Sequence, residues 1–435
     1  MKIQEFSHYT IGPVTLWTSE QEKSGMYAEV KDGKLVQFSD KDLSKNGVHH
    51  IDGKGRVLMP AGIDAQVHLR VPGQEHKETV ETGLSAALKG GYCALLTMPN
   101  TNPTIDQPDK LKLGMDLVSD GEKKFGVKVY WTAAITKNLN SSEVTPIEDL
   151  AQGGMKALTN DGLGVLSDEV MSESFRRLAL LNIPLLQHAE FLGHGGSLAP
   201  SSVQKRIGAK PYPESAELDM VERDLRVLKS HPQARYHILH ITSGKVLPMV
   251  REAKAAGLKV TCEVTPHHLY FSGEDIDPEN KSFKMNPPLR SPEDRDLLWK
   301  GLESGDIDFV STDHAPHEAL VKQGDFDQAA FGTIGMETTL GVLLWGLKNG
   351  KLSRKRLIEV FSQKPAQFLS LDSSFGNLIE GQEFRAVLFD TEAPEKLISS
   401  SDFMSLSKNS CFIGSRLPGH LDLTFIESRV VSFES

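Results

Sequence analysis

The sequence predicts a (β/α)8 barrel flanked by a small composite β domain formed by both chain ends, and three observations carry that expectation. From Val57 onward, short apolar runs alternate with longer segments of helical period, and the alternation repeats eight times. Strand-like runs lie before this region and return after it. The length, 435 residues, suits either a large barrel of roughly 250 to 400 residues or two ordinary domains.

Taken in order, the first unit spans residues 1–56. It holds strand-like runs at Met26 to Val30 and Lys34 to Phe38, separated by the hairpin signal Asp32-Gly33. The barrel is expected over residues 57–375. Its strands fall near Val57 to Val67, Cys93 to Met98, Lys128 to Ile135, Met155 to Thr159, Pro184 to Gln187, Arg235 to Ile241, Leu258 to Val264 and Asp308 to Thr312. Helices lie between them. In SPEDRDLLWKGLESG, Ser291 can cap the helix, Pro292 suits its first turn and Gly305 can end it. The second part of the β domain is expected over 376–435, with strands at Ala386 to Phe389, Leu421 to Phe425 and Val430 to Phe433 pairing with the N-terminal ones.

Composition narrows the function. No apolar run approaches the roughly 20 residues that cross a bilayer. The start, MKIQEFSHYTIGP, lacks the features of an export signal, so a soluble cytoplasmic protein is expected. Three widely spaced cysteines, Cys93, Cys262 and Cys411, read as buried reduced thiols. A formal charge of -10 without a Lys/Arg run argues against nucleic acid or an anionic membrane as partner. A small molecule is the expected ligand.

Barrel enzymes carry their working residues at the C-terminal ends of strands. There this chain has Gln66, His68 and Arg70 after strand one, Asn100 after strand two, and Lys156 and Asp161 around strand four. His188 follows strand five, His240 strand six, and Asp313 and His317 strand eight. Imidazoles or carboxylates thus occur at five of eight strand ends, a coincidence that points to a metal-centred site. The nitrogen and oxygen donors favour Zn²⁺, with Mn²⁺, Fe²⁺ or Co²⁺ as substitutes. Asp313 is the natural general base and acid. His237 is expected to be structural, His267 and His268 are given no role, and His194 in GHGGS is read as a loop residue.

PAGIDAQVHLRVPG, HKETVETG, MPNTNP, TNDG, KMNPPLR, STDHAPH, FGTIGMET and KNSCFIG occur in this order. The set closely resembles dihydroorotases of the amidohydrolase superfamily, in the branch related to hydantoinases and allantoinases. The resemblance implies His68, Asp161, His188, His240 and Asp313 as metal ligands, with Asp313 also the catalytic aspartate. It implies that Arg70, Asn100 and His317 hold a substrate carboxylate, that Asn286 meets the pyrimidine ring, and that backbone groups of Phe331 and Gly332 touch substrate. The implied reaction interconverts N-carbamoyl-L-aspartate and L-dihydroorotate in pyrimidine synthesis. A homodimer is compatible with the family.

Two departures matter. Gln66 stands where the family has the first histidine of His-x-His, so one zinc is expected to be held firmly on Asp161, His188 and His240, with the second position weakened or empty. It also keeps open a noncatalytic scaffold for aspartate transcarbamoylase, as some relatives are; a hydantoinase-like cyclic amidohydrolase is the third alternative. Lys156 falls where some relatives carry a carboxylated bridging lysine, and Asp161 where others use a bridging aspartate; Asp161 is the expected bridge.

Overall fold

The computed structural model describes residues 1–191 and 195–433, so His194 lies outside the described residues. Eight parallel strands form the barrel: Gly62–Val67, Tyr92–Thr97, Lys128–Ala133, Ala157–Thr159, Pro184–Gln187, Arg235–Ile238, Lys259–Val264 and Phe309–Val310. Each pairs with its sequence neighbour, as βα units require. The seam between the last and first strands closes through a parallel bridge, Val67 with His314, and through side chains. The buried Asp64 carboxylate accepts the Thr312 amide N–H at 3.0 Å and its hydroxyl at 2.6 Å. The His68 N–H donates to the His314 carbonyl at 2.9 Å. Two chain segments that carry site residues are therefore fixed to each other at the closing seam.

The run from Val57 to Val67, expected as one strand, is two. Val57–Pro60 pairs antiparallel with Arg385–Asp390 in a separate nine-stranded sheet, and the chain turns at Ala61 into the barrel strand Gly62–Val67. The turn needs glycine at 62, because a Cβ there would lie 2.5 Å from the Phe361 ring. Hydrophobicity hides the break, since both pieces are buried on both faces.

The nine-stranded sheet interleaves the chain ends. Its order runs Lys2–Glu5, Arg429–Ser432, His420–Ile426, Arg385–Asp390, Val57–Pro60, His8–Trp17, Glu22–Lys31 and Lys34–Ser39, with His49–Asp52 beside His8–Trp17. Strand alternation decides which core each residue joins. Leu58, Ala386 and Leu388 point into a small core with Tyr9, Phe384 and Phe425, whereas Val57, Met59, Val387 and Phe389 point into the barrel's core. Two central strands thus serve both cores, which is why this sheet rests firmly on the barrel.

The helix Pro292–Ser304 has Ser291 as its cap in a capping box with Asp294, and it ends at Gly305 with φ +89°. The three cysteines are free and buried. Among the described residues no helix is long and apolar enough to cross a membrane. His237 sits in the barrel interior, stacked on Phe309 at 5.1 Å and bonded to Thr261 at 2.8 Å.

Glu263, on the seventh barrel strand, is fully buried; one oxygen accepts the Ser311 hydroxyl at 2.6 Å and the other has no partner. Burial pushes its carboxyl up to about 8. The fold therefore favours the protonated form, a stabilisation complete below about pH 4.5 and lost as pH rises through about 8. Urea unfolding should show Glu263→Gln gaining on the parent by on the order of 1 kcal/mol per pH unit between about pH 6 and 8. A difference that does not change with pH would show that Glu263 is already ionised in the folded barrel.

Candidate functional site

The C-terminal ends of the strands converge on one cleft. It is lined by His68, Arg70, Asn100, Asp161, Gly162, His188, Asn286, Asp313, Ala315, His317, Phe331 and Gly332, and encloses about 580 Å³ including its open mouth. Gln66 and His240 are buried next to Asp161. The backbone turns sharply where these side chains are aimed: Arg70, His240 and Asp313 have φ of +62°, +28° and +47°. Positive φ in non-glycine residues costs energy and persists where surrounding structure enforces it, as it does at working sites.

Asp161 is the hub. Its Oδ1 lies 3.6 Å from His188 Nδ1 and 3.5 Å from His240 Nε2, while its Oδ2 lies 3.1 Å from His68 Nε2. His68 Nε2 is also 3.0 Å from Asp313 Oδ1. Two overlapping triads result, Asp161–His188–His240 and His68–Asp161–Asp313, and each could hold a metal ion. The donors are carboxylate oxygen and imidazole nitrogen, the set that suits zinc and its divalent neighbours.

Outer contacts fix which nitrogen each ring turns inward. Asn100 Oδ1 lies 2.9 Å from His68 Nδ1 and can accept only if that nitrogen carries the proton, which leaves Nε2 for the two carboxylates. Glu190 Oε2 lies 3.0 Å from His188 Nε2, leaving Nδ1 directed at Asp161 and His240. Such contacts orient ligands in metal sites generally. Electrostatics agree. Burial alone would lower His68, but Asp161 and Asp313 hold it up at about 9; burial is likewise overcome at His188 by Asp161 and Glu190, giving about 10. Asp161 is held well below the usual carboxylate range despite its burial, by His188, His240 and His68. The cluster demands positive charge, and a divalent cation taking these lone pairs would displace the protons.

Gln66 fits this set differently from an imidazole. Its Nε2 donates to Asp161 Oδ1 at 3.3 Å, and its Oε1 is buried without a partner. A flip would set two oxygens against each other, so the carboxylate fixes the amide's direction.

At the other end of the cleft Arg70 donates to the Pro316 carbonyl at 3.1 Å and meets His317 Nε2 at 3.1 Å. A guanidinium can only donate, so His317 Nε2 accepts and Nδ1 carries the hydrogen; that Nδ1 has no partner. Burial and Arg70 push the His317 ring down to about 2, so it is neutral. Asn286 donates an amide N–H to Glu190 at 2.8 Å, the same carboxylate oxygen that faces His188 Nε2, and its Oδ1 is unpartnered.

Two expected residues stand differently. Lys156 precedes the fourth strand, at the end opposite Asp161, with Nζ 5.4 Å from the Tyr130 ring centroid, and is not part of the cleft. Gly332 lines the cleft, but its N–H donates to the Lys284 carbonyl at 2.9 Å and its carbonyl accepts from Lys322 and Asn409. Glu190 was not singled out from the sequence, although His-x-Glu in LLQHAE has the same spacing that drew attention to Gln66 and His68.

Residues 55–245 match the family model described as Dihydro-orotase-like. A dihydroorotase of Desulforapulum autotrophicum is 37% identical over 407 residues, covering 92% of this chain and 93% of the relative. One of Listeria innocua is 38% identical over 405 residues, with 92% and 93% covered. Among solved structures, the L-hydantoinase (dihydropyrimidinase) of Arthrobacter aurescens superposes with a TM-score of 0.86 at 25% identity, over 98% of this chain and 96% of that one. A D-hydantoinase from Thermus sp. matches the fold with a TM-score of 0.82 at 21% identity, over 98% and 95%. With sequence likeness running through nearly its whole length and a buried His/Asp cluster at the mouth of the barrel, the chain belongs to the dihydroorotase family.

Proposed function

We propose that the chain is a metal-dependent dihydroorotase, interconverting N-carbamoyl-L-aspartate and L-dihydroorotate. The observation that carries this reading is the pairing, in one cleft, of the Asp161-centred cluster with an anion-holding end at Arg70 and His317. A neutral ring would leave that end unmatched.

In this reading Asp161, His188 and His240 hold a divalent cation firmly, and His68 and Asp313 offer a weaker position because Gln66 replaces an imidazole. When bound, such a cation polarises a carbonyl and lowers the pKa of water toward about 7. The chain's own groups do the rest. Arg70 keeps N–H groups beyond those spent on Pro316 and His317, and with the free His317 Nδ1–H they clamp the carboxylate in a charge-assisted fork. Asn100 faces the same end and holds the His68 tautomer. The unpartnered Asn286 Oδ1 accepts a ring N–H. Asp313, held by His68 with its side chain at the cleft, takes the proton of the attacking water and delivers it to the departing ring nitrogen. In the reverse direction it takes the proton from the carbamoyl nitrogen as the ring closes.

A second reading, a noncatalytic scaffold for aspartate transcarbamoylase, draws on Gln66, whose amide binds Asp161 Oδ1 in place of a histidine. The first is preferred because a scaffold has no chemical reason to keep Asp313, Arg70, Asn100 and His317 facing one cleft.

Purified protein should hydrolyse dihydroorotate, and Asp313→Asn should lower kcat by about 100- to 10,000-fold while leaving thermal unfolding near that of the parent. Arg70→Met should raise KM for dihydroorotate by about 10- to 100-fold, the loss of one or two charge-assisted hydrogen bonds. If hydantoin or dihydrouracil is turned over better than dihydroorotate by the parent, the carboxylate clamp is wrong and a hydantoinase-like activity takes its place.

A further inference from the structure

The KNSCFIG segment lies outside the barrel sequence, yet its second residue reaches the rim of the cleft. Asn409 is buried, and each polar group of its side chain is used. Nδ2 donates to the Ala315 carbonyl at 3.0 Å and to the Gly332 carbonyl at 3.2 Å, and Oδ1 accepts the His317 N–H at 3.0 Å. Its own carbonyl accepts the Ile334 N–H at 3.0 Å and the Thr333 hydroxyl at 3.2 Å. One residue therefore ties residues 315–317 to residues 332–334, and both segments line or adjoin the cleft.

Neighbouring contacts hold the same construction. Lys322 Nζ donates to the carbonyls of Gly332 at 2.7 Å, Ala330 at 2.7 Å and Lys284 at 3.1 Å. The segment around Asn409 is itself anchored to the barrel: the Leu406 N–H donates to Glu78 at 2.8 Å, the Ser407 hydroxyl to the Lys77 carbonyl at 2.7 Å, and the Ser405 hydroxyl to Glu78. Gly332, with φ +126°, lies so close that a Cβ would be 2.9 Å from that of Ala315. An amide is the side chain that suits this point, because it meets two acceptors and one donor in one plane. A carboxylate would face two carbonyl oxygens, and an apolar side chain would leave the Ala315 carbonyl and the His317 N–H unpaired and the Gly332 carbonyl with Lys322 alone.

We infer that Asn409 is a positioning residue for the reaction: through the His317 backbone and the Gly332 carbonyl it sets where the His317 ring stands against Arg70, and so shapes the anion end of the pocket. It touches neither the Asp161 cluster nor Asp313, so its loss weakens substrate binding without emptying the metal position or removing the proton carrier. The inference rests on the reading of Arg70 and His317 as the carboxylate clamp.

Asn409→Ala and Asn409→Asp, with metal content matched to the parent, separate this role from a merely structural one. In both variants KM for dihydroorotate should rise by at least about tenfold while kcat stays within about threefold and tightly bound zinc is unchanged. Hydrogen exchange followed residue by residue should show the His317 amide exchanging at least about tenfold faster. An unchanged KM, a fall in kcat at constant KM, or loss of the folded barrel in both variants would overturn the inference. If the parent itself does not turn over dihydroorotate, the functional reading has failed on its own, and exchange at His317 still decides whether Asn409 holds the rim.

Discussion

The carboxylate of Asp161 offers one oxygen to His188 and His240 and the other to His68, and the remainder of the site is organised around that division. A buried carboxylate between three imidazoles is tolerable only when charge is balanced and every ring presents the right nitrogen. Asn100 and Glu190 set the tautomers of His68 and His188 from outside. Asn286 joins Glu190 to the cleft, so the group that orients the His188 ring also fixes a side chain that lines the cleft. The barrel supplies the rest of the requirement. Its closing seam, where Asp64 holds Thr312 and His68 meets His314 through the backbone, locks the segment bearing His68 and Arg70 to the one bearing Asp313 and His317.

Much of this could be read from the chain before its fold was known, and the reason is geometric. A barrel brings the C-terminal ends of all its strands together, so His68, Asp161, His188, His240 and Asp313 needed only to be recognised as strand ends to be gathered into one place. Lys156 shows the same rule from the other side: it starts its strand instead of ending it, and its amine rests over Tyr130. The break at Ala61 was not legible, because burial on both faces erases the alternation that would mark a change of sheet. Lys322 and Asn409 were not legible as contributors either. They act on backbone carbonyls and amides, and no spacing in the sequence reveals where a distant carbonyl will lie.

Gln66 is where local chemistry and overall likeness pull apart. The chain matches a dihydroorotase over 92% of its length, but an amide stands where the resemblance leads one to expect an imidazole. That amide has a definite role in the structure, donating to the Asp161 oxygen shared with His188 and His240. A neutral donor on this oxygen supports the carboxylate without competing for its negative charge as a proton would. The Gln66 Oε1 is buried without a partner. The proposed function therefore implies an asymmetric site, with the firmer metal position at Asp161, His188 and His240, the weaker at His68 and Asp313, and Asp313 as proton carrier.

Titrating metal-stripped protein with Zn²⁺ while following dihydroorotate hydrolysis on the same sample tests that account most directly. Activity should rise and saturate near one equivalent, with no further step as a second is added. Activity that needs two tightly bound equivalents would contradict the asymmetric site, and protein that binds zinc yet stays inert at every loading would contradict the assignment as an enzyme.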